Sequence, residues 1–277
     1  MLIGELVAAF ISWNLRHRAP ATVGFYRTRL KRFCQAYNAR ELGTLTPLEI
    51  DEHLAAAGSG MSDTTRHHDI VALERLQKFA LEHKLLDKPV FGILEKPRAG
   101  RRDRVPTPAE TEAILAKASP AFRLIYSALR QCGARPGELC RVTIPDVDRA
   151  NRVITLKEHK TARKTGQVRR IPIGNKLKEL LDQAIGGRSE GPVFLGPSGR
   201  GWRIGNLSRT YSRLRDLARL PKDLVLYLAR HECGTKICRE KGIEYARRLL
   251  GHTNITTTQR YMHLDESELR DAQDLIE

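Results

Sequence analysis

Several side chains in this sequence are of types that could act together on a phosphate ester. The guanidinium group of an arginine such as Arg135 or Arg230 can donate two parallel hydrogen bonds to phosphate oxygens, and it keeps its positive charge. The hydroxyl group of a tyrosine such as Tyr261 can form an ester with phosphorus and later leave as a phenolate. None of these residues predicts a function when it is taken alone, so their meaning depends on the segments around them.

The C-terminal segment Leu249–Tyr261 supplies such a pattern. It reads Leu-Leu-Gly-His-Thr-Asn-Ile-Thr-Thr-Thr-Gln-Arg-Tyr, and His252 lies nine positions before Tyr261. This segment resembles the C-terminal signature of the tyrosine recombinase (phage integrase) family. In that family a Leu-Gly-His triplet is followed by the nucleophilic tyrosine, which lies in a Thr-rich helix. The chain is therefore similar to Xer-like site-specific recombinases, and the resemblance to their catalytic domain extends from about Thr107 to Leu264.

Two arginine segments agree with this resemblance and occur in the order that the family shows. Gly133–Leu139 resembles the first arginine motif, in which Arg135 is followed by Pro-Gly-Glu-Leu. Tyr227–His231 resembles the His-x-x-Arg-His motif that supplies the second arginine, here Arg230. This chain has tyrosine at the first position of that motif, where the family most often has histidine.

The resemblance implies a DNA strand breakage and rejoining enzyme that acts at specific sites through a 3′-phosphotyrosyl intermediate. Tyr261 is the expected nucleophile, and Arg135 and Arg230 are expected to clamp the scissile phosphate. His252 is expected to hydrogen-bond a phosphate oxygen in the transition state. Neither a metal nor another cofactor is expected, because the arginines would stabilise the charge of the phosphate. Rejoining of the strands would need no ATP, because the phosphotyrosyl ester conserves the bond energy.

Further residues receive roles on the same basis. The general acid that protonates the leaving 5′ oxygen is expected to be Lys160 on a basic hairpin, with Lys164 as the competitor. Glu138 is expected to orient a neighbouring residue. Tyr227 can hydrogen-bond a phosphate oxygen, but a phenol with a pKa of about 10 cannot accept a proton near neutral pH. His231 is expected to be structural or to support the site.

The composition also favours a polyanionic partner. The 277 residues include 48 Lys and Arg against 32 Asp and Glu, which gives a formal net charge of +16. Such a balance favours nucleic acid over an anionic membrane surface. An aromatic fraction of 6% argues against a single-strand binder built on stacked bases. No apolar run is long enough to span a membrane and no cleavage signature follows Met1, so we expect a cytoplasmic protein that is nucleoid-associated when it binds DNA.

The expected partner is double-stranded DNA, held between the two domains, with a homotetramer in the DNA synapse and a monomer as the alternative without DNA. Six basic residues are predicted to contact DNA in addition to the catalytic set: Arg98, Arg101, Arg102, Arg104, Arg163 and Lys164. Competing hypotheses are a catalytically impaired DNA-binding protein of the same fold, a type IB-like topoisomerase, and an unrelated RNA-binding protein.

The predicted fold is mainly α with a small β-sheet (α+β). Residues 1–92 read as a four-helix domain of the core-binding, DNA-clamping type, with a good helix start at Thr46-Pro47-Leu48-Glu49. Residues 93–106 read as a basic linker, because the segment holds prolines, a glycine and five basic residues and cannot bury a core.

Residues 107–277 read as the catalytic domain. Runs rich in Val, Ile and Thr predict strands at 152–156 and 168–173, joined by the basic hairpin, and a short third strand at 193–195. Helices are predicted at 176–185, 206–218, 223–241 and 243–250, and over a last stretch near 253–277. The five cysteines suggest neither a disulfide framework nor a zinc site.

Overall fold

Two stretches of the chain fold around separate hydrophobic cores in the computed structural model of the protein. They are Met1–Arg101 and Arg102–Glu277. The structure describes residues 1–58, 60–98, 100, 104–157, 166, 168–262 and 273–274. Among the helices of these described residues, none is both long and apolar enough to cross a membrane.

The first unit is helical because its apolar side chains recur every three to four residues. Its helices are α1 Ile3–His17, α2 Pro20–Tyr37, α3 Pro47–Gly58 and α4 Asp63–Glu82. The expected cap of α3 is present, since the Thr46 hydroxyl accepts the Glu49 N–H at 3.2 Å and a Glu49 carboxylate oxygen accepts the Thr46 N–H at 2.8 Å. Phe10, Leu30 and Phe33 lie among the buried residues of the core.

Part of the segment expected to be a linker lies along α4. The ammonium group of Lys96 is 2.6 Å from a carboxylate oxygen of Glu74, and the Gly100 N–H donates to the Thr64 hydroxyl at 3.0 Å. Arg98 is exposed between these two contacts. These residues therefore belong to the first unit, and its boundary follows Arg101.

The second unit combines helices with a small sheet. Its elements are α5 Pro108–Ala116, α6 Pro120–Cys132, α7 Pro136–Leu139, β1 Val147–Asp148, β2 Val153–Leu156, β3 Arg169–Pro172, α8 Asn175–Ile185, α9 Ile204–Leu217, α10 Leu228–Lys241, α11 Ile243–Leu250 and the short 3₁₀ helices Ile255–Thr257 and Gln259–Tyr261. Helix α6 lies in the core, where Phe122, Ile125 and Leu129 have no exposed surface. The predicted fold class, mainly α with a small sheet, is confirmed.

The sheet is antiparallel in the order β1, β2, β3. Residues along β3 alternate between the core and the surface, with Arg169 and Ile171 buried and Arg170 exposed. Ile171 pairs with Ile154 of β2, and Arg169 pairs with Leu156. A charged side chain therefore occupies a core-facing position of β3.

The prediction of a third strand at 193–195 was wrong. Leu195 forms only an isolated bridge with Gly201, and the strand that completes the sheet is Val147–Asp148. Pro192 lies directly before this run and lacks the N–H that would extend a ladder, while Val193 is buried and donates its N–H to the Val142 carbonyl at 3.0 Å.

Two predicted helices also have different bounds. The helix expected from residue 223 begins at Leu228, and residues 223–227 form turns in which Leu224 and Leu226 are both buried. The prediction of a helix near 253–277 was wrong for residues 253–261, where the structure has the two 3₁₀ helices Ile255–Thr257 and Gln259–Tyr261. Most of the remaining tail lies outside the described residues.

Candidate active site

Arg135 is positioned by a sharp turn between two helices. Helix α6 ends at Cys132 and is capped by Gly133, which has a left-handed φ of 57°, and α7 begins at Pro136. Arg135 therefore occupies the N-cap of α7, where its N–H and its Nη1 both donate to the carboxylate of Glu138, at 2.9 Å and 2.7 Å. Glu138 thus caps the helix and orients the guanidinium group of Arg135, whose side chain is 21% exposed.

Glu138 is almost completely buried and also forms an ion pair with Arg169 of β3. Burial alone would raise the pKa of this carboxyl group, but the charge of Arg169 and the hydrogen bonds and charge of Arg135 lower the pKa below its ordinary value. The carboxylate is therefore ionised at neutral pH, and two arginines share one negative charge.

Arg230, near the start of α10, is fully buried, with no exposed surface. Its Nη1 donates to the carbonyl of Gly133 at 2.7 Å, and its Nη2 donates to the carbonyl of Leu250 at 2.8 Å. These carbonyls lie at the C-terminal ends of α6 and α11, where unpaired carbonyl groups favour a positive charge. The two helix ends therefore hold the guanidinium group in place.

His252 lies beside Arg230, in the turn after α11. Its Nε2 is 2.9 Å from Nη2 of Arg230, and its Nδ1 is 2.8 Å from the hydroxyl oxygen of Thr258. An arginine can only donate, so Nε2 accepts and the ring proton is on Nδ1, which donates to Thr258. Burial, and then the charge of Arg230, lower the pKa of His252 to about 4, so the ring is neutral at pH 7.

Tyr261 packs into the same site from the same chain. Its ring is nearly parallel to that of His252 with centroids 6.1 Å apart, and its centroid is 5.3 Å from that of His231. Gly234 of α10 makes room for the phenol, because a Cβ atom there would lie 3.1 Å from Cε1 and Cζ of Tyr261. Burial raises the pKa of the phenol, and the positive charge of Arg230 acts in the opposite direction.

Tyr227 and His231 form the outer edge of this group. Tyr227 is the N-cap residue of α10 and is 38% exposed, and its ring centroid lies 5.3 Å from that of His231. His231 is buried between the rings of Tyr227 and Tyr261. A tyrosine thus stands at the entrance of the site at the position where the family motif usually has histidine.

The remaining predicted site residues fall into three groups. Arg98 is exposed in the first unit. Arg104 forms ion pairs with Glu110 and with Asp223, the latter at 3.1 Å, within the second unit. The others lie outside the described residues: Lys160, Lys164, Arg163, Arg101 and Arg102.

Arg169 is the site residue that the sequence analysis did not identify. It is buried between the Glu138 carboxylate and the Leu249 carbonyl, to which its Nη2 donates at 3.2 Å. A signal was available, since Ile171 and Ile173 alternate along the predicted strand and place residue 169 on the same face. An arginine in phase with core residues of a strand indicates a buried partner.

Comparison with known proteins agrees with this arrangement. The sequence model described as the phage integrase family matches residues 105–268, which is more than half of the chain. The chain belongs to the phage integrase family. The resemblance inferred from the Leu249–Tyr261 segment is thereby confirmed, as is the prediction of an enzyme of the tyrosine recombinase type.

Members of this family with known names are similar over most of their length. Tyrosine recombinase XerC of Chromohalobacter salexigens is 26% identical in an alignment that covers 93% of this chain and 90% of the relative. Tyrosine recombinase XerD of Mycobacterium leprae is 24% identical and covers 93% of this chain and 91% of the relative.

Solved structures of integrases share the fold. A lambda integrase dimer bound to a COC′ core site has a TM-score of 0.81 and 18% identity, covering 96% of this chain and 99% of that chain. The Tn1549 transposon integrase in complex with circular intermediate DNA has a TM-score of 0.76 and 20% identity, with 99% of each chain covered. A lambda integrase tetramer bound to a Holliday junction has a TM-score of 0.80 and 18% identity, covering 94% of this chain and 77% of that chain.

Proposed function

We propose that this protein is a site-specific DNA recombinase that cuts and rejoins strands through a 3′-phosphotyrosyl intermediate on Tyr261. The observation that carries the proposal is the packing of the Tyr261 phenol beside His252, whose Nε2 accepts a hydrogen bond from Arg230. A nucleophile and the groups that would stabilise its transition state thus come from one chain.

The site is suited to an anion because its charges do not balance. Arg135 and Arg169 share the carboxylate of Glu138. The charge of Arg230 acts on Arg169, while Arg230 donates hydrogen bonds to two carbonyls and to His252. A phosphodiester that gains negative charge as a further oxygen approaches would be stabilised by this excess, most strongly with water excluded. In the proposed mechanism Arg135 and Arg230 bind the non-bridging oxygens, and Tyr227 adds a hydrogen bond from the entrance.

The proposed reaction exchanges one phosphate ester for another. The phenolic oxygen of Tyr261 attacks phosphorus, its proton passes to water, and the bond from phosphorus to the 5′ oxygen breaks. The 5′ oxygen takes a proton from Lys160, or from the competitor Lys164. A 5′ hydroxyl of another strand then reverses the step, and because the phosphotyrosyl ester conserves the bond energy, the proposal requires neither metal nor ATP.

Double-stranded DNA is the proposed partner, in the cytoplasm. Residues 1–92 are proposed as the DNA-clamping domain, 93–106 as the linker and 107–277 as the catalytic domain. Similar integrases whose structures are solved are a dimer on a core site and a tetramer on a Holliday junction. We propose a homotetramer for strand exchange. Exposed basic residues would contact the DNA backbone, with Arg98 the example that the structure describes.

The test is covalent capture of DNA. A pool of nicked duplexes with randomised sequence is incubated with the protein, denatured, and DNA that remains bound is recovered and sequenced. We expect the wild-type protein to retain DNA and Tyr261→Phe to retain none while binding duplex equally well. Adducts formed by Tyr261→Phe would contradict the proposal. Absence of adducts with the wild-type protein would favour a DNA-binding protein, and relaxation of supercoils without recombinants would favour a topoisomerase.

A further inference from the structure

Arg169 is a buried arginine of the candidate site, held by contacts within the protein. Its side chain is only 5% exposed, and it lies on the core-facing side of β3. Gly251 covers it closely, since a Cβ atom at Gly251 would lie 2.8 Å from Nε of Arg169. Arg169 can therefore act on a bound phosphate through the groups that it touches.

Those groups are parts of the site on two sides. Nη1 of Arg169 pairs with Oε2 of Glu138, the oxygen that also accepts the Arg135 N–H. Nη2 donates to the carbonyl of Leu249, in the last turn of α11 shortly before His252. A single side chain thus links the strand, the residue that orients Arg135, and the turn that leads to His252.

The charges explain why such a link matters. The other oxygen of Glu138 holds Nη1 of Arg135 at 2.7 Å, so a buried carboxylate faces two guanidinium groups. If Arg169 were absent, only Arg135 would neutralise this buried charge, and its guanidinium group, which now donates to one carboxylate oxygen, would turn to pair with both. With Arg169 present, the carboxylate is already neutralised, and the charge of Arg135 remains available for an incoming anion.

We propose that Arg169 is a positioning residue of the recombinase: it neutralises Glu138 so that Arg135 can bind the scissile phosphate, and it fixes the turn before His252. This inference rests on the proposed function. It predicts that the loss of Arg169 slows strand cleavage at saturating DNA and leaves the affinity for DNA nearly unchanged. Misplacement of a catalytic group by about 1 Å can slow a reaction about 100-fold.

The test measures single-turnover cleavage of a nicked suicide substrate, whose sequence comes from the covalent-capture experiment. It compares the rates of the Arg169→Met and Arg170→Met variants. Arg170 is the exposed neighbour on β3, so its variant loses the same charge at the surface. We expect a fall of about 100-fold in rate for Arg169→Met with the dissociation constant unchanged within about threefold. A rate within threefold of that of the wild-type protein would overturn the inference.

A double-mutant cycle separates positioning from simple loss of packing. If Arg169 acts through Glu138, Arg169→Met should slow cleavage far less in a Glu138→Gln background than in the wild-type background. Additive effects would contradict this route. Should Arg169→Met fail to fold, Arg169→Lys carries the test, because an ammonium group reaches only one of the two acceptors and should slow cleavage on the order of 10-fold.

Failure of the proposed function would be visible separately. If the wild-type protein forms no covalent adduct, cleavage cannot report on Arg169. A crystal structure of Arg169→Met (or of Arg169→Lys, if only that variant folds) then gives the answer, since the inference requires the guanidinium group of Arg135 to move relative to Glu138. An unchanged 2.7 Å contact between Arg135 and Glu138 would overturn the inference whatever the activity.

Discussion

The Nε2 atom of His252 accepts a hydrogen bond from Nη2 of Arg230 at 2.9 Å. The ring can accept this hydrogen bond only in its neutral form, because both nitrogens of a protonated ring are donors. A protonated ring would also place a second positive charge beside a fully buried guanidinium group. The pKa of about 4 reflects burial of the ring first and the charge of Arg230 second. Protonation of His252 should therefore contribute to the pH dependence of the stability of the second unit.

The sign of that dependence follows from the shift in pKa. The folded pKa of His252 is depressed from 6.5 to about 4, so the unfolded chain binds the proton more tightly and the contribution to stability is lost as the pH falls below 6.5. We expect a loss of about 2 kcal/mol in the free energy of unfolding between pH 7.5 and pH 5. His252→Gln should lack this component in parallel urea titrations. Equal pH dependence in both proteins would contradict the assignment.

Gly234 controls the position of the Tyr261 phenol. A Cβ atom there would lie 2.9 Å from Cδ1 of Leu250 as well as close to the phenol ring, so one of these side chains must move. We expect Gly234→Ala to slow DNA cleavage about 100-fold with little change in DNA affinity. The better helix propensity of alanine should partly offset a steric cost of about 1–3 kcal/mol.

Gly205→Ala is the matched control for this substitution. Gly205 also lies in a helix, α9, but nothing is within 4 Å of its Cβ position. Thermal unfolding and single-turnover cleavage of both variants would be measured together. The explanation fails if Gly205→Ala slows cleavage as much as Gly234→Ala, or if a crystal structure of Gly234→Ala shows the phenol unmoved.

Arg230 should not be replaceable by lysine. Its guanidinium group reaches the carbonyls of Gly133 and Leu250 and the ring of His252, whereas an ammonium group at the end of a flexible chain cannot reach all three positions. We expect Arg230→Lys to lower the free energy of unfolding by about 3 kcal/mol, from lost charged hydrogen bonds, and to reduce cleavage at least about 100-fold. Arg209→Lys, an exposed change on α9, is the control and should alter neither quantity. A stable, active Arg230→Lys variant would show that the carbonyl contacts are dispensable.

The short motifs named residues whose side chains the structure places near one another. Arg135, Arg230, His252 and Tyr261 are far apart in sequence, and the structure brings their side chains into one region around the end of α11. The roles of these residues stay predictions. The helices of both units also followed from apolar spacing, because caps such as Thr46 mark their starts locally.

What the sequence did not reveal depends on contacts between distant segments. Arg169 of β3 meets Glu138 of α7 across 31 positions of the sequence, and Arg230 binds two carbonyls because α6 and α11 end beside it. The 3₁₀ turns that lead to Tyr261 are a separate case, since the His252 ring holds the Thr258 hydroxyl only six residues further along the chain. Local propensity cannot predict such geometry, which is set by packing.

Two arginines predicted to contact DNA should differ in salt dependence. Arg98 is exposed, whereas Arg104 already forms ion pairs with Glu110 and Asp223. Each phosphate contact contributes about 0.9 to the slope of log affinity against log salt concentration. We expect Arg98→Ala to reduce that slope by about 1, and Arg104→Ala to leave the slope unchanged while lowering stability by at most about 1 kcal/mol. Fluorescence anisotropy titrations at several salt concentrations measure both slopes.

A reduced slope for Arg104→Ala would mean that DNA displaces its ion pairs, and an unchanged slope for Arg98→Ala would remove that residue from the DNA-binding surface.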